Sequence, residues 1–221
     1  MSEIILILGK SGSGKSASLR NLDPKITFAV SVDGKKFPFR MKGWEQMSQT
    51  NKSGSFYIPQ EKGAKAYLQI KGASEEAIKQ GKKIIVIDDS QACISKEFFD
   101  RAYETGYQKW TEIGKKFHDL IMWARELPDN VTVYFLHHID IDRDDKFKVK
   151  TSGKMLDDQT SIEGKFTICI HARKIDDSHE FATKVSNEPI FKAPFGMFEK
   201  DPMDNDLAVV DKIIREFWGM E

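Results

Sequence analysis

The chain has 221 residues, 40% of them hydrophobic, with 34 basic and 34 acidic side chains. That length supports one sizeable core, so a single domain over 1–221 is expected. Zero net charge excludes a chain-wide field that would draw nucleic acid, while leaving room for a local basic groove.

Two cysteines, Cys93 and Cys169, lie in or near apolar runs without metal-ligand spacing, the pattern of buried free thiols in a reducing compartment. No stretch approaches the roughly 20 apolar residues of a membrane helix. The opening MSEIILILG lacks the charged region of a signal peptide, so the expectation is a cytoplasmic protein with no membrane partner.

In chain order, Ile4 to Leu8 is a continuous apolar run, the pattern of a strand buried on both faces. GKSGSGKS follows, and SASLRNL predicts a helix opening at Ser16. ITFAVSV, from Ile26 to Val32, is a second strand, ending at Asp33-Gly34. Residues 34–60 predict an irregular excursion plugged by Phe37, Phe39, Trp44, Phe56 and Tyr57. Lys62 to Gln80 has helical composition and stops at Gly81. Ile84 to Ile87 is a third buried strand, closed by Asp88-Asp89. Lys96 to Leu127 is helical in pattern, and Pro128-Asp129-Asn130 breaks it. Val131 to Leu136 is a fourth strand, ending at His137-His138. The charged stretch 139–161 predicts a mobile loop or a pair of weak strands. FTICIH, Phe166 to His171, is a fifth strand, and Glu180 to Lys192 another, broken near Asn187. Leu207 to Trp218 is a closing helix within 204–219, capped by Asp204 or Asn205. Strands alternating with helices predict an α/β fold with a mostly parallel central sheet flanked by helices.

The octapeptide Gly9-Lys10-Ser11-Gly12-Ser13-Gly14-Lys15-Ser16 matches G-x-x-x-x-G-K-[ST] at every fixed position. Glycines let successive backbone N–H groups turn inward on phosphate oxygens, and a following helix adds its partial positive charge. Gly9 through Ala17 thus form the expected nucleotide cradle. Lys15 would reach the β- and γ-phosphates, and the Ser16 hydroxyl would ligate Mg²⁺. Asp88, at the end of a buried strand, is the second metal-side group, acting through water. Asp89 would orient water, or cap the next segment. Asp33 is the candidate for activating the attacking water, with a plain Asp-Gly turn as the alternative. Of the pair His137 and His138, one is expected to sense the γ-phosphate. In the loop that follows, Lys146, Phe147, Lys148, Lys150 and Lys154 combine cations with a ring, which suits single-stranded nucleic acid; a solvated charged hairpin is the other reading.

The segments GKSGSGKSASLRNL, VDGKKFPFR, IIVIDDSQA, VTVYFLHH, GKML, GKFTICIHARK and FKAPFGMFE with DNDLAVVDKII resemble the phage ATP-binding proteins of RecA-like fold, the ATP-dependent single-strand annealing or recombination proteins. The resemblance covers nearly the whole chain and is weakest in 40–80. It implies a RecA-like P-loop NTPase core using ATP and Mg²⁺, single-stranded DNA as partner, and cooperation with a single-strand binding protein. It also implies a homo-oligomer, ring or filament, in the host cytoplasm. Asp33 falls where RecA relatives usually carry Glu. Lys192 lies near the A-P-F segment before which such relatives place lysines that reach a neighbour's phosphates. Two alternatives stay open. One is a P-loop small-molecule kinase, which needs lid arginines where 139–161 offers Arg143 alone. The other is a nucleotide-gated adaptor without significant turnover.

Overall fold

The computed structural model describes residues 1–61, 63–151 and 161–220. The strands are β1 (Glu3–Gly9), β2 (Thr27–Ser31), β3 (Phe56–Tyr57), β4 (Ile84–Asp88), β5 (Thr132–Ile141), β6 (Phe147–Val149), β7 (Ile168–Ile175), β8 (Ser178–Ala182) and β9 (Met203–Asp204). The α-helices among the described residues are α1 (Ala64–Lys79), α2 (Gln91–Asp100), α3 (Gln108–Arg125) and α4 (Leu207–Trp218).

The strands form one sheet in the order β3-β2-β4-β5-β1-β7-β8-β9, with β6 paired to β5. From β3 through β7 every pairing is parallel, so these strands present their carboxyl ends along one edge. The β7–β8, β8–β9 and β5–β6 pairings are antiparallel. α1, α2 and α3 cover one face, where Ile70, Ile94, Phe117 and Leu120 meet Leu6, Ile85 and Phe135. On the other face α4 and the turn after the glycine-rich loop bring Leu19, Leu207, Val210 and Ile214 against Ile5, Ile7 and Tyr134. With both faces covered, the central strands carry apolar residues at successive positions rather than at alternate ones.

The α/β architecture with its mostly parallel sheet is thus the one expected, and several local elements differ. Ser16–Asn21 is a 3-10 turn of 6 residues, not an α-helix. Its serines are weak helix formers, and Pro24 disfavours helical backbone at Asp23. The helical stretch predicted over 96–127 is two helices, parted at 101–107, where Gly106 adopts φ 94°. β5 does not stop before the histidines but runs through both to Ile141. Phe56-Tyr57 is an edge strand, while Phe37, Phe39, Trp44 and Phe56 do form one aromatic plug, with ring centroids 5.6–6.2 Å apart. The cap of α4 is Asp206, whose Oδ1 accepts from the Ala208 backbone N–H at 3.0 Å, rather than Asp204 or Asn205. Cys93 and Cys169 are buried free thiols. Among the described residues no helix is long and apolar enough to cross a membrane.

α4 is pinned to the sheet by a buried network. Asp211 accepts from the Thr132 and Tyr134 hydroxyls at 2.7 and 2.8 Å and from Arg215 Nε at 2.7 Å. Removing this carboxylate takes the acceptor from the buried Tyr134 hydroxyl and the counter-charge from Arg215, which keeps the Asn130 and Lys83 carbonyls. We expect Asp211→Ala to lower the unfolding free energy by about 3–5 kcal/mol in chemical denaturation.

Candidate functional site

The parallel register sets the site. Gly9, the last residue of β1, lies beside His138 of β5, and Leu8 lies beside both His137 and His171. The glycine-rich loop therefore leaves the sheet at its carboxyl edge, with β5 between it and the strand carrying Asp88. Gly9 has no space for a side chain, since a Cβ would come within 2.4 Å of the Ala172 carbonyl oxygen and of Ser13 Oγ. Gly14 adopts φ 90°, and a Cβ there would come within 2.9 Å of His179. These two positions need glycine for backbone reasons alone.

Over this loop lies a cleft of about 390 Å³ lined by Ser11 through Ser16, Ala17, Asp33, Lys35, Asp88, Asp89, His138 and His179. Gly9 and Lys10 lie beneath it, and their carbonyls accept from Lys15 Nζ at 2.7 and 2.9 Å. Burial pulls the Lys15 pKa down to about 8, countered by Asp89 and Asp88. Ser16 Oγ donates to Asp88 Oδ1 at 2.8 Å. Burial raises the Asp88 pKa to about 6, against the pull of the Ser16 hydrogen bond. Ser13 Oγ is buried inside the loop without a hydrogen-bond partner.

Asp89 is not a helix cap. It sits at φ 56°, and its Oδ1 lies 3.3 Å from His138 Nε2. Burial works to raise its pKa, but the His138 hydrogen bond and nearby cations prevail and hold it below the usual carboxylate value. Asp33 emerges just past β2, with Oδ2 2.6 Å from Lys35 Nζ.

The histidine pair divides by strand alternation. His138 lines the cleft, whereas His137 is fully buried on the opposite side of β5. His137 Nδ1 lies 2.9 Å from Ser90 Oγ, and Nε2 lies 2.7 Å from the Lys150 carbonyl oxygen. It thus ties the start of α2 to the end of the β5–β6 hairpin. His179, which the sequence reading missed, reaches the loop from β8 with Nε2 3.0 Å from the Gly12 carbonyl oxygen. No local motif marks it, because it meets Gly12 across 167 residues. Lys35 was missed for the opposite reason, lying inside a stretch dominated by Asp33-Gly34.

The lysine-bearing arm is the β5–β6 hairpin, which continues β5 past the histidines, and Lys146, Lys148 and Lys150 are not among the residues lining the cleft. The Lys150 backbone N–H donates to the His138 carbonyl at 3.0 Å. The Phe147 ring packs on His171 and Phe191, centroids 5.1 and 5.9 Å away, and Lys146 Nζ donates to the Asn187 carbonyl at 3.0 Å. Lys148 lies on β6, and Lys154 falls outside the described residues. Lys192 lies away from the cleft, bridged through its backbone to Cys169.

A serine hydroxyl against a carboxylate is a hard-oxygen pair, the donor type that suits Mg²⁺. The inward-turned loop, its buried Ser13 hydroxyl and Lys15 suit phosphate oxygens. No family model and no curated protein matches the chain. Among solved structures, it is similar to the genome packaging NTPase B204 from Sulfolobus turreted icosahedral virus 2 in complex with ATP-gammaS. The identity is 11% and the TM-score 0.41, over 85% of this chain and 78% of that one.

Burial lowers the His137 pKa from 6.5 to about 4, because the charged form has no water to solvate it. A base depressed on folding stabilises the protein above its unfolded pKa and loses that contribution as pH falls through it. Unfolding free energy should therefore drop between pH 6.5 and 4, and His137→Gln should remove about 3 kcal/mol of that drop in denaturation curves taken across this range.

Proposed function

We propose that the chain binds ATP and hydrolyses it to ADP and phosphate, using the cycle to control a grip on single-stranded DNA. The observation that carries the ATPase reading is the convergence of Lys15, Ser16, Asp33, Asp88 and Asp89 on one cleft.

Each residue then has a task. The loop N–H groups and Lys15 hold the phosphates, Lys15 exchanging the Gly9 and Lys10 carbonyls for phosphate oxygens. Ser16 directly and Asp88 through water would hold Mg²⁺, which supplies charge neutralisation to the transferring phosphoryl group. Asp33 accepts a proton from water as the water oxygen bonds to the γ-phosphorus and the bond to the β–γ bridging oxygen breaks, releasing ADP. The Asp89–His138 pair lines the same cleft, and His138 is the phosphate-sensing histidine in this reading. Its carbonyl holds Lys150, so a shift at His138 passes to the β5–β6 arm.

In this reading Lys146, Lys148 and Lys150 of the arm contact DNA phosphates. Phe147, packed inward, steadies the arm in this reading instead of stacking on bases. The resemblance to phage RecA-like annealing proteins supports single-strand annealing in recombination, homo-oligomeric assembly with Lys192 facing a neighbour's phosphates, and a single-strand binding protein as partner.

The deciding experiment is steady-state ATP hydrolysis with and without single-stranded DNA at low salt. Turnover should rise with DNA and fall at least tenfold in Lys15→Ala, which loses the charge-assisted contacts to the transferring phosphate. Turnover stimulated by a nucleoside and not by DNA would replace this reading with a small-molecule kinase.

A further inference from the structure

The turn after β2 is held more firmly than an Asp-Gly turn requires. The Gly34 N–H donates to the Ser31 carbonyl at 3.1 Å, Ser31 Oγ donates to the Lys35 carbonyl at 2.8 Å, and Lys96 Nζ donates to the Val32 carbonyl at 2.6 Å. These bonds fix the backbone of Lys35 at the cleft wall facing the glycine-rich loop. Its ammonium meets Asp33 at 2.6 Å and lies within the fields of Asp89 and Asp88. The Asp33 hydrogen bond, then its charge, raise the Lys35 pKa, so the ammonium stays charged.

The strength of this pair is what matters. The Lys35 side chain is 76% exposed, and an ion pair with a partner so exposed to water is weak. Such a pair yields to a stronger acceptor, and a terminal phosphate offers more charge and more oxygens than one carboxylate. Phosphoryl transfer also needs a cation on the γ-phosphate side facing away from the loop, a task that an arginine from the same or a neighbouring chain often performs. Among the described residues no arginine lines the cleft. Lys36 also lines the cleft, but Lys35 is the cation paired with the candidate water-activating acid.

We propose that Lys35 is a second phosphate-contacting residue, which pairs with Asp33 in the nucleotide-free site and moves to the γ-phosphate of a bound nucleoside triphosphate, leaving Asp33 free to take the proton from water. This rests on the ATP reading above. It assigns Lys35 a reading role as well as a catalytic one, because a diphosphate gives it nothing to move to. Discrimination between ATP and ADP is thus built into the same turn that carries the acid.

The test measures binding of Mg-ATPγS and Mg-ADP by calorimetry to the wild-type chain, Lys35→Met, Lys35→Arg and the surface control Lys42→Met. Lys35→Met should bind ATPγS about tenfold more weakly while ADP affinity stays within twofold, and Lys35→Arg should recover most of the loss. ATP turnover of Lys35→Met should fall further than its triphosphate affinity, because the charge that builds on the transferring phosphoryl group loses its neutralising cation as well. Equal weakening toward both nucleotides, or wild-type affinity for both, would overturn the role of Lys35 and leave the ATP reading standing. A wild-type chain that binds neither nucleotide removes both. If it binds both without turnover, the affinity ratio still decides the matter. The unfolding midpoint of Lys35→Met, expected to match wild type, separates these outcomes from a collapsed turn.

Discussion

The hydrogen bond from Ser16 to Asp88 is the contact on which the cleft depends. It joins the glycine-rich loop, which follows β1, to the end of β4, and the two strands are not neighbours. β5 lies between them, so the bond spans a strand. Asp88 is buried enough that its carboxylate is costly to keep charged, and it remains there because the Ser16 hydroxyl and Lys15 oppose that cost. The parallel sheet makes the meeting possible, since parallel strands bring every such terminus to one edge.

Around that bond, the chain satisfies its own charges. Lys15 rests on loop carbonyls, Asp89 on His138, and Asp33 on Lys35. A buried or half-buried charge without a partner would be expensive, so a cleft built for a polyanion must supply temporary partners. Nucleotide binding in such a site is an exchange of partners, and the weakest internal pair is the first to exchange. That ranking follows burial: Ser16–Asp88 is deep, while Lys35–Asp33 faces solvent.

Much of this was legible in the sequence, and the reasons differ by element. β1, β4 and β5 announce themselves because strands covered on both faces must be apolar at every position. The octapeptide is legible because few backbone paths wrap a phosphate, and each demands glycine at fixed places. The break between α2 and α3 was not, because apolar residues continue across it at Phe99, Tyr103 and Trp110 and only Gly106 marks the turn. Which histidine faces the cleft depends on where β5 ends, and an apolar run gives no signal for a strand that continues into charged residues. The α4 cap was misplaced by one or two positions because Asp204, Asn205 and Asp206 all suit the role, and only the backbone angles choose. His179 is a contact between distant segments, for which a sequence without its fold carries no mark.

The link between the 3-10 turn and the approach to α4 has a consequence for how the protein is made. Arg20 Nη1 donates to the Asn205 carbonyl at 2.6 Å and Asn21 Nδ2 to Asp206 Oδ2 at 2.6 Å, each across 185 residues. Asn205 also borders Gly14 of the loop. The glycine-rich loop is synthesised well before residues 205 and 206, yet the turn that follows it is braced by them. Contacts of such sequence separation form late. The nascent chain therefore carries its glycine-rich motif well before the contacts that brace the adjoining turn can form.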